Sequence, residues 1–172
     1  MSTLEGNRLR NEARIKYGPQ LRNSFKKLDV DQSGFASVDE MSKFLAKKGF
    51  IKNSDDSISD FNASMTRYLN KLNYGKEKPG ELSEDEFVKF WADLYALFDK
   101  IDKNGDGFIS ISECCQYLLE RKIKHQLTKN DLLSEVKRFF NKVDTDRNGK
   151  ITLTEFFVKL PDLELQIINK TL

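Results

Sequence analysis

The chain has 172 residues, 38% hydrophobic and 33% charged, which suits a folded body of one large domain or two small lobes and excludes disorder. Its 29 basic and 27 acidic residues leave a formal charge of +2. "GNRLRNEARIKYG" is the nearest approach to a basic patch and reads as a solvated helix face, so nucleic acid is excluded as a partner; a membrane span is excluded too, because no apolar run is long enough.

Residues 1–18 read as an N-terminal extension. A helical stripe of Leu21, Phe25 and Leu28 then runs into "DVDQSGFASVDE", where Asp29, Asp31 and Ser33 alternate, Gly34 follows and Glu40 stands twelfth. Oxygen-bearing side chains two residues apart cannot all face one point on a regular helix. On a coiled loop they converge, and the central glycine supplies the turn that a β-carbon resists. Met41, Phe44 and Leu45 are expected to line the helix that leaves this loop.

Ile58, Phe61, Met65, Tyr68, Leu69 and Leu72 form the next stripe, which leads to "GKEKPGELSEDE" at positions 75–86. This segment keeps Gly80 and Glu86. It has Gly75 in the first place, Pro79 in the fifth, and two lysines, Lys76 and Lys78, that repel a cation. It is expected to be a structural partner loop without metal. No glycine or proline interrupts "FVKFWADLYALFDKI", so the helix leaving the second loop should become the helix entering the third. Its Phe87, Phe90, Trp91, Leu94, Leu97, Phe98 and Ile101 cover more than one stripe.

"DKNGDGFISISE" repeats the pattern with Asp102, Asn104, Asp106, Gly107 and Glu113, followed by Cys115, Leu118 and Leu119. Cys114 and Cys115 are neighbours and point about 100° apart on a helix, a poor geometry for a disulfide. The sole histidine, His125, lies in the linker "RKIKHQLTK". Thr128 with Asp131 then signals a helix start for Leu132, Val136, Phe139, Phe140 and Val143. "DTDRNGKITLTE" gives Asp144, Asp146, Asn148, Gly149 and Glu155, with Phe156 and Phe157 after it. Pro161 should stop that helix, and the apolar tail "PDLELQIINKTL" is expected to fold back into a trough between the helices.

Three such loops match the twelve-residue EF-hand pattern at each diagnostic position. Position seven contributes a backbone carbonyl, here Phe35, Phe108 and Lys150, so its side chain is free to vary. Loops of this kind occur in pairs, which brings the degenerate segment in as the fourth member. The chain therefore resembles the EF-hand proteins of the calmodulin superfamily. With loops one, three and four intact, it is most similar to the invertebrate sarcoplasmic calcium-binding protein and calexcitin group. The resemblance implies an all-α fold of four helix-loop-helix units in two pairs, compact, with short β pairing between loops. The expected division is pair one at 19–92, pair two at 93–160 and a tail at 161–172. Position eight should form the pairings, Ala36 with Leu82 and Ile109 with Ile151. The implied calcium ligands are Asp29, Asp31, Ser33, Phe35 and Glu40; Asp102, Asn104, Asp106, Phe108 and Glu113; and Asp144, Asp146, Asn148, Lys150 and Glu155.

Three carboxylates per loop suit a calcium buffer or signal modulator holding three Ca2+ ions, with Mg2+ as a competitor. The alternative is a sensor that docks a dedicated protein target helix. A calmodulin-like groove is disfavoured, because the only methionines are Met1, Met41 and Met65. A photoprotein or luciferin carrier shares the loops, but one tryptophan and one histidine are few polar handles for a chromophore. No spacing suggests a catalytic constellation, so the chain is not expected to be an enzyme. It is expected to be monomeric. "MSTLEG" shows no leader and has Ser2 where N-myristoylation needs glycine, and with two reduced thiols this points to a cytoplasmic location.

Overall fold

The computed structural model describes the backbone of residues 3–120 and 129–161, and the side chains of 7–120 and 130–161. The described residues divide into two units, Leu97–Lys159 forming one and the residues up to Ala96, with Leu160 and Pro161, forming the other. No helix among the described residues is long and apolar enough to cross a membrane. Thr128 and the tail from residue 162 lie outside the described residues, and the expectations that rest on them stay with the sequence.

In the first unit, α1 covers Thr3–Leu28 and buries Ala13, Leu21 and Phe25. The expected boundary between an extension and the first hand falls inside this helix, which continues through Pro19. A proline in a helix interior loses a hydrogen bond and clashes with the preceding turn. Contacts on both sides of it explain why the helix carries on. Arg14 bonds Asp93 at 3.2 Å, Tyr17 stacks on Tyr95 with ring centroids 4.3 Å apart, and Arg22 reaches Asp85 at 3.1 Å. All three partners stand on α4, Glu84–Ile101, so tertiary contacts hold what the local sequence would break.

The strand β1, Phe35–Ser37, leads into α2, Val38–Lys47. Ser37 caps α2 and closes a capping box with Glu40, satisfying two backbone N–H groups that a helix start otherwise leaves unpaired. α3 follows at Asp55–Lys71, capped by Ser54 and packed on α2. Its burial of Phe61, Met65, Tyr68 and Leu69 follows the expected stripe. Phe44, in contrast, is 47% exposed, so α2 turns Met41 and Leu45 inward without it. β2, Glu81–Ser83, pairs antiparallel with β1 and sets Ala36 against Leu82, both fully buried. Phe25 meets Phe87 edge-on at 5.6 Å, at the centre of this unit's core.

Between the second and third loops α4 is one unbroken helix, as the absence of glycine and proline requires. In the second unit β3, Phe108–Ser110, pairs with β4, Lys150–Thr152, and sets Ile109 against Ile151. α5 spans Ile111–Glu120, α6 Lys129–Val143 and α7 Leu153–Lys159. α7 ends before Pro161, as a following proline dictates. On α5 the inward stripe is Cys114, Tyr117 and Leu118, and Leu119 is 57% exposed. The expected stripe of Cys115, Leu118 and Leu119 is therefore out of phase by one residue. The helix must present Glu113 to the loop, and this fixes its rotation. Phe156 packs edge-on against Phe98 at 6.4 Å and Phe139 at 6.5 Å, a ring cluster in this unit's core.

Candidate metal centres

Each loop is built around its first and last acidic residues. In loop one Asp29 Oδ2 accepts the Gly34 N–H at 3.1 Å, and Asp31 Oδ1 accepts the Ser33 N–H at 3.0 Å. In loop three Asp102 takes the Gly105 and Gly107 N–H groups at 2.8 and 2.9 Å, and Asn104 takes that of Asp106 at 2.8 Å. In loop four Asp144 takes Asn148 and Gly149 at 3.1 and 2.8 Å, and Asn148 Oδ1 takes the Lys150 N–H at 2.8 Å. The position-six glycines Gly34, Gly107 and Gly149 all have φ near +80°, the left-handed turn the pattern requires. Position four is left-handed too, at Gln32, Gly105 and Arg147. Sequence reasoning misses this requirement, since only Gly105 carries the usual signal for it.

The twelfth-position glutamate joins both ends of its loop. Glu40 Oε1 accepts the Val30 N–H at 2.9 Å, and its Oε2 accepts the N–H and hydroxyl of Ser37 at 2.9 and 2.8 Å. Glu113 does the same for Lys103 at 3.0 Å and Ser110 at 2.9 and 2.7 Å. Glu155 does so for Thr145 at 2.9 Å and Thr152 at 2.9 Å. Position nine therefore works as a helix cap that holds the glutamate in place. Burial pushes the Glu113 and Glu155 carboxyls up, but the N–H and hydroxyl donors around them outweigh it and hold both below the ordinary range. The Ser33 hydroxyl and N–H hold Asp31 down in the same way.

In loops one and four the acids converge. Asp29, Asp31 and Glu40 each bring an oxygen to within 4.8 Å of the other two, and so do Asp144, Asp146 and Glu155. Three like charges this close repel unless a cation lies among them. The donors are all oxygen, carboxylate with hydroxyl, amide and carbonyl nearby, which fits a hard cation such as Ca2+. Loop three has Asn104 where the others have an aspartate, and its Asp106 Oδ2 faces the Lys150 ammonium at 3.3 Å. Its three carboxylates do not form such a cluster among the described residues.

The second loop closes differently. Glu86 Oε1 accepts the N–H of Gly75 itself at 3.1 Å, one position earlier than in the other loops. Gly75 has φ of +65°, and a β-carbon there would stand 3.0 Å from the Lys78 carbonyl and 3.1 Å from that of Glu81. A side chain at the head of this loop would be strained by the left-handed backbone and crowded by two carbonyls.

The EF-hand domain pair family matches residues 91–157, and the EF hand family matches residues 21–45. The 16 kDa calcium-binding protein of Schistosoma mansoni is 30% identical over 121 residues, covering 62% of this chain and 78% of that protein. This chain belongs to the EF-hand calcium-binding proteins of the calmodulin superfamily. Calcium-dependent protein kinase 16 of Oryza sativa subsp. japonica is 28% identical over 136 residues, 79% of this chain. The EF-hand chain spans 24% of that kinase's length. A homologue of programmed cell death 6 protein from Leishmania major Friedlin is 25% identical, with 81% of this chain and 69% of that one covered at a TM-score of 0.46. The likeness to a small calcium-binding protein over most of its length identifies an EF-hand calcium binder.

Proposed function

We propose that this EF-hand protein takes up three calcium ions, in loops one, three and four, and acts as a buffer or modulator of calcium signals. The proposed ligands are the side chains of Asp29, Asp31, Ser33 and Glu40, of Asp102, Asn104, Asp106 and Glu113, and of Asp144, Asp146, Asn148 and Glu155. The carbonyls of Phe35, Phe108 and Lys150 complete the sets. The converging acids of loops one and four carry this reading. Loop two has no side chain at its first position and a proline at its fifth, so it serves as the strand partner of loop one. Carboxylate-rich loops of this type also admit Mg2+ as a weaker competitor.

Two observations favour a buffer over a sensor. The glutamates already tie both ends of every loop together, so ion uptake calls for little movement of the helices. Buffers of this class barely open, whereas sensors expose a methionine-rich groove. The second unit contains no methionine, and Met41 and Met65 of the first are 3% and 0% exposed. The free thiols Cys114 and Cys115 suit a reducing compartment, so we place the protein in the cytoplasm.

Binding of a hydrophobic dye such as ANS tests the assignment. Calcium should leave the dye signal unchanged or lower it. A several-fold calcium-dependent rise would show a newly opened apolar groove and make the protein a sensor with a protein target.

A further inference from the structure

Lys150 is unlike the other residues at position seven. Position seven is expected to offer only its carbonyl, yet the Lys150 side chain crosses from loop four to loop three. The strand register explains how. Ser110 pairs with Lys150, so Phe108, two residues before Ser110, lies on the same face and within diagonal reach of a long side chain. The Lys150 ammonium sits 4.6 Å from the centre of the Phe108 ring and 3.3 Å from Asp106 Oδ2. The ring steadies the cation, and the carboxylate neutralises it. Asp106 is itself the fifth-position acid of loop three, and its other oxygen accepts the Phe108 N–H at 2.9 Å.

The first pair of loops shows what differs. The residue paired with position nine of loop one is Glu81, not a lysine. Lys78 lies over the Phe35 ring at 4.4 Å, but its partner is Glu81 of its own loop at 3.2 Å. Position five of loop one is the neutral Ser33, which has no charge to offer an ammonium. Both pairs therefore send an ammonium over the ring of the odd-numbered loop, but only in the second does it also meet that loop's position-five carboxylate.

We propose that Lys150 is a resident counter-cation for Asp106, which calcium must displace on entering the third loop, so that loop four tunes the calcium affinity of loop three. The inference rests on loop three being a calcium site. Asp106 cannot give the same oxygen fully to both cations, and two like charges sharing one carboxylate repel. Lys150 thus lowers the third loop's affinity relative to a loop whose acids are unpaired. The pair is partly exposed, with side chains 48% and 39% accessible, so its effect is modest and is screened by salt.

The test is a calcium titration of the 15N-labelled full chain in calcium-buffered solutions, following the Gly107 amide. That N–H donates to Asp102 at 2.9 Å and reports loop three, while the Gly34 and Gly149 amides report loops one and four. K150M should raise the affinity read at Gly107 by about two- to fivefold in low salt, and the gain should shrink in 1 M KCl. In a D106N background the same K150M change should leave the Gly107 midpoint where it was. An unchanged or lowered affinity in K150M overturns the proposal, and so does an equal gain with and without Asp106, which would mark a general charge effect. A Gly107 amide that ignores calcium altogether would remove loop three from the functional assignment as well. A response to calcium without a Lys150 effect would remove only this inference.

Discussion

Replacing Phe156 by alanine is expected to cost the second unit about 3–5 kcal/mol. Phe156 is 1% exposed and meets both Phe98 and Phe139 edge-on, so alanine leaves a cavity among rings that cannot close in without shifting three helices. Phe156 also follows Glu155 directly, so loosening α7 frees the glutamate that closes loop four. Urea unfolding in the presence of a chelator, followed by far-UV circular dichroism, measures the loss. Leu119→Ala is the matched control. At 57% exposure it should change stability by no more than about 0.5 kcal/mol. Similar losses for the two variants would contradict the packing of α5 and α7 described above.

Glu155→Gln should have the largest effect on calcium. The carboxylate accepts from the Thr145 N–H and hydroxyl on one oxygen and from the Thr152 N–H and hydroxyl on the other, at 2.9–3.0 Å. Glutamine keeps one acceptor and turns an NH2 group toward those donors, so one end of the loop comes loose. It also removes a charge from the three-acid cluster. Losing charge-assisted bonds worth about 1.5–3 kcal/mol lowers the fourth loop's affinity roughly 10- to 100-fold. The Ile109–Ile151 ladder joins loops three and four, so the third loop should weaken as well, by a smaller factor. Titrations that show a normal third site beside a damaged fourth would refute the coupling. A fourth site of unchanged affinity would refute the ligand role of Glu155.

Much of this fold is legible in the residues because the loops repeat. A twelve-residue motif fixes its own backbone through a glycine and its own acids, and the strand partners at position eight follow from pairing the loops. The single helix α4 follows just as directly from a stretch without glycine or proline. What escapes the sequence depends on contacts between segments distant in the chain. Pro19 reads locally as a break, and the contacts of Arg14, Tyr17 and Arg22 with α4 flank it on both sides. The phase of α5 shifts by one because Glu113 must face its loop, a constraint that apolar periodicity does not register. In the candidate metal centres, the acids of loops one and four lie close together, an arrangement that alternate acids on a coiled loop allow. The double duty of each glutamate, as helix cap and loop closure, is hinted at by the hydroxyl three residues before it. The reach of Lys150 across the ladder has no local signal, since it needs the register between two loops and the fifth-position acid of the other.

Isothermal titration of the full chain with calcium, with Glu86→Gln as the companion variant, tests the proposal that loops one, three and four bind calcium and loop two does not. Three ions per chain are expected, and the same three after Glu86 is changed, because that glutamate only closes its own loop on Gly75. A fourth ion that disappears with Glu86→Gln would make loop two a metal site and overturn the three-site assignment.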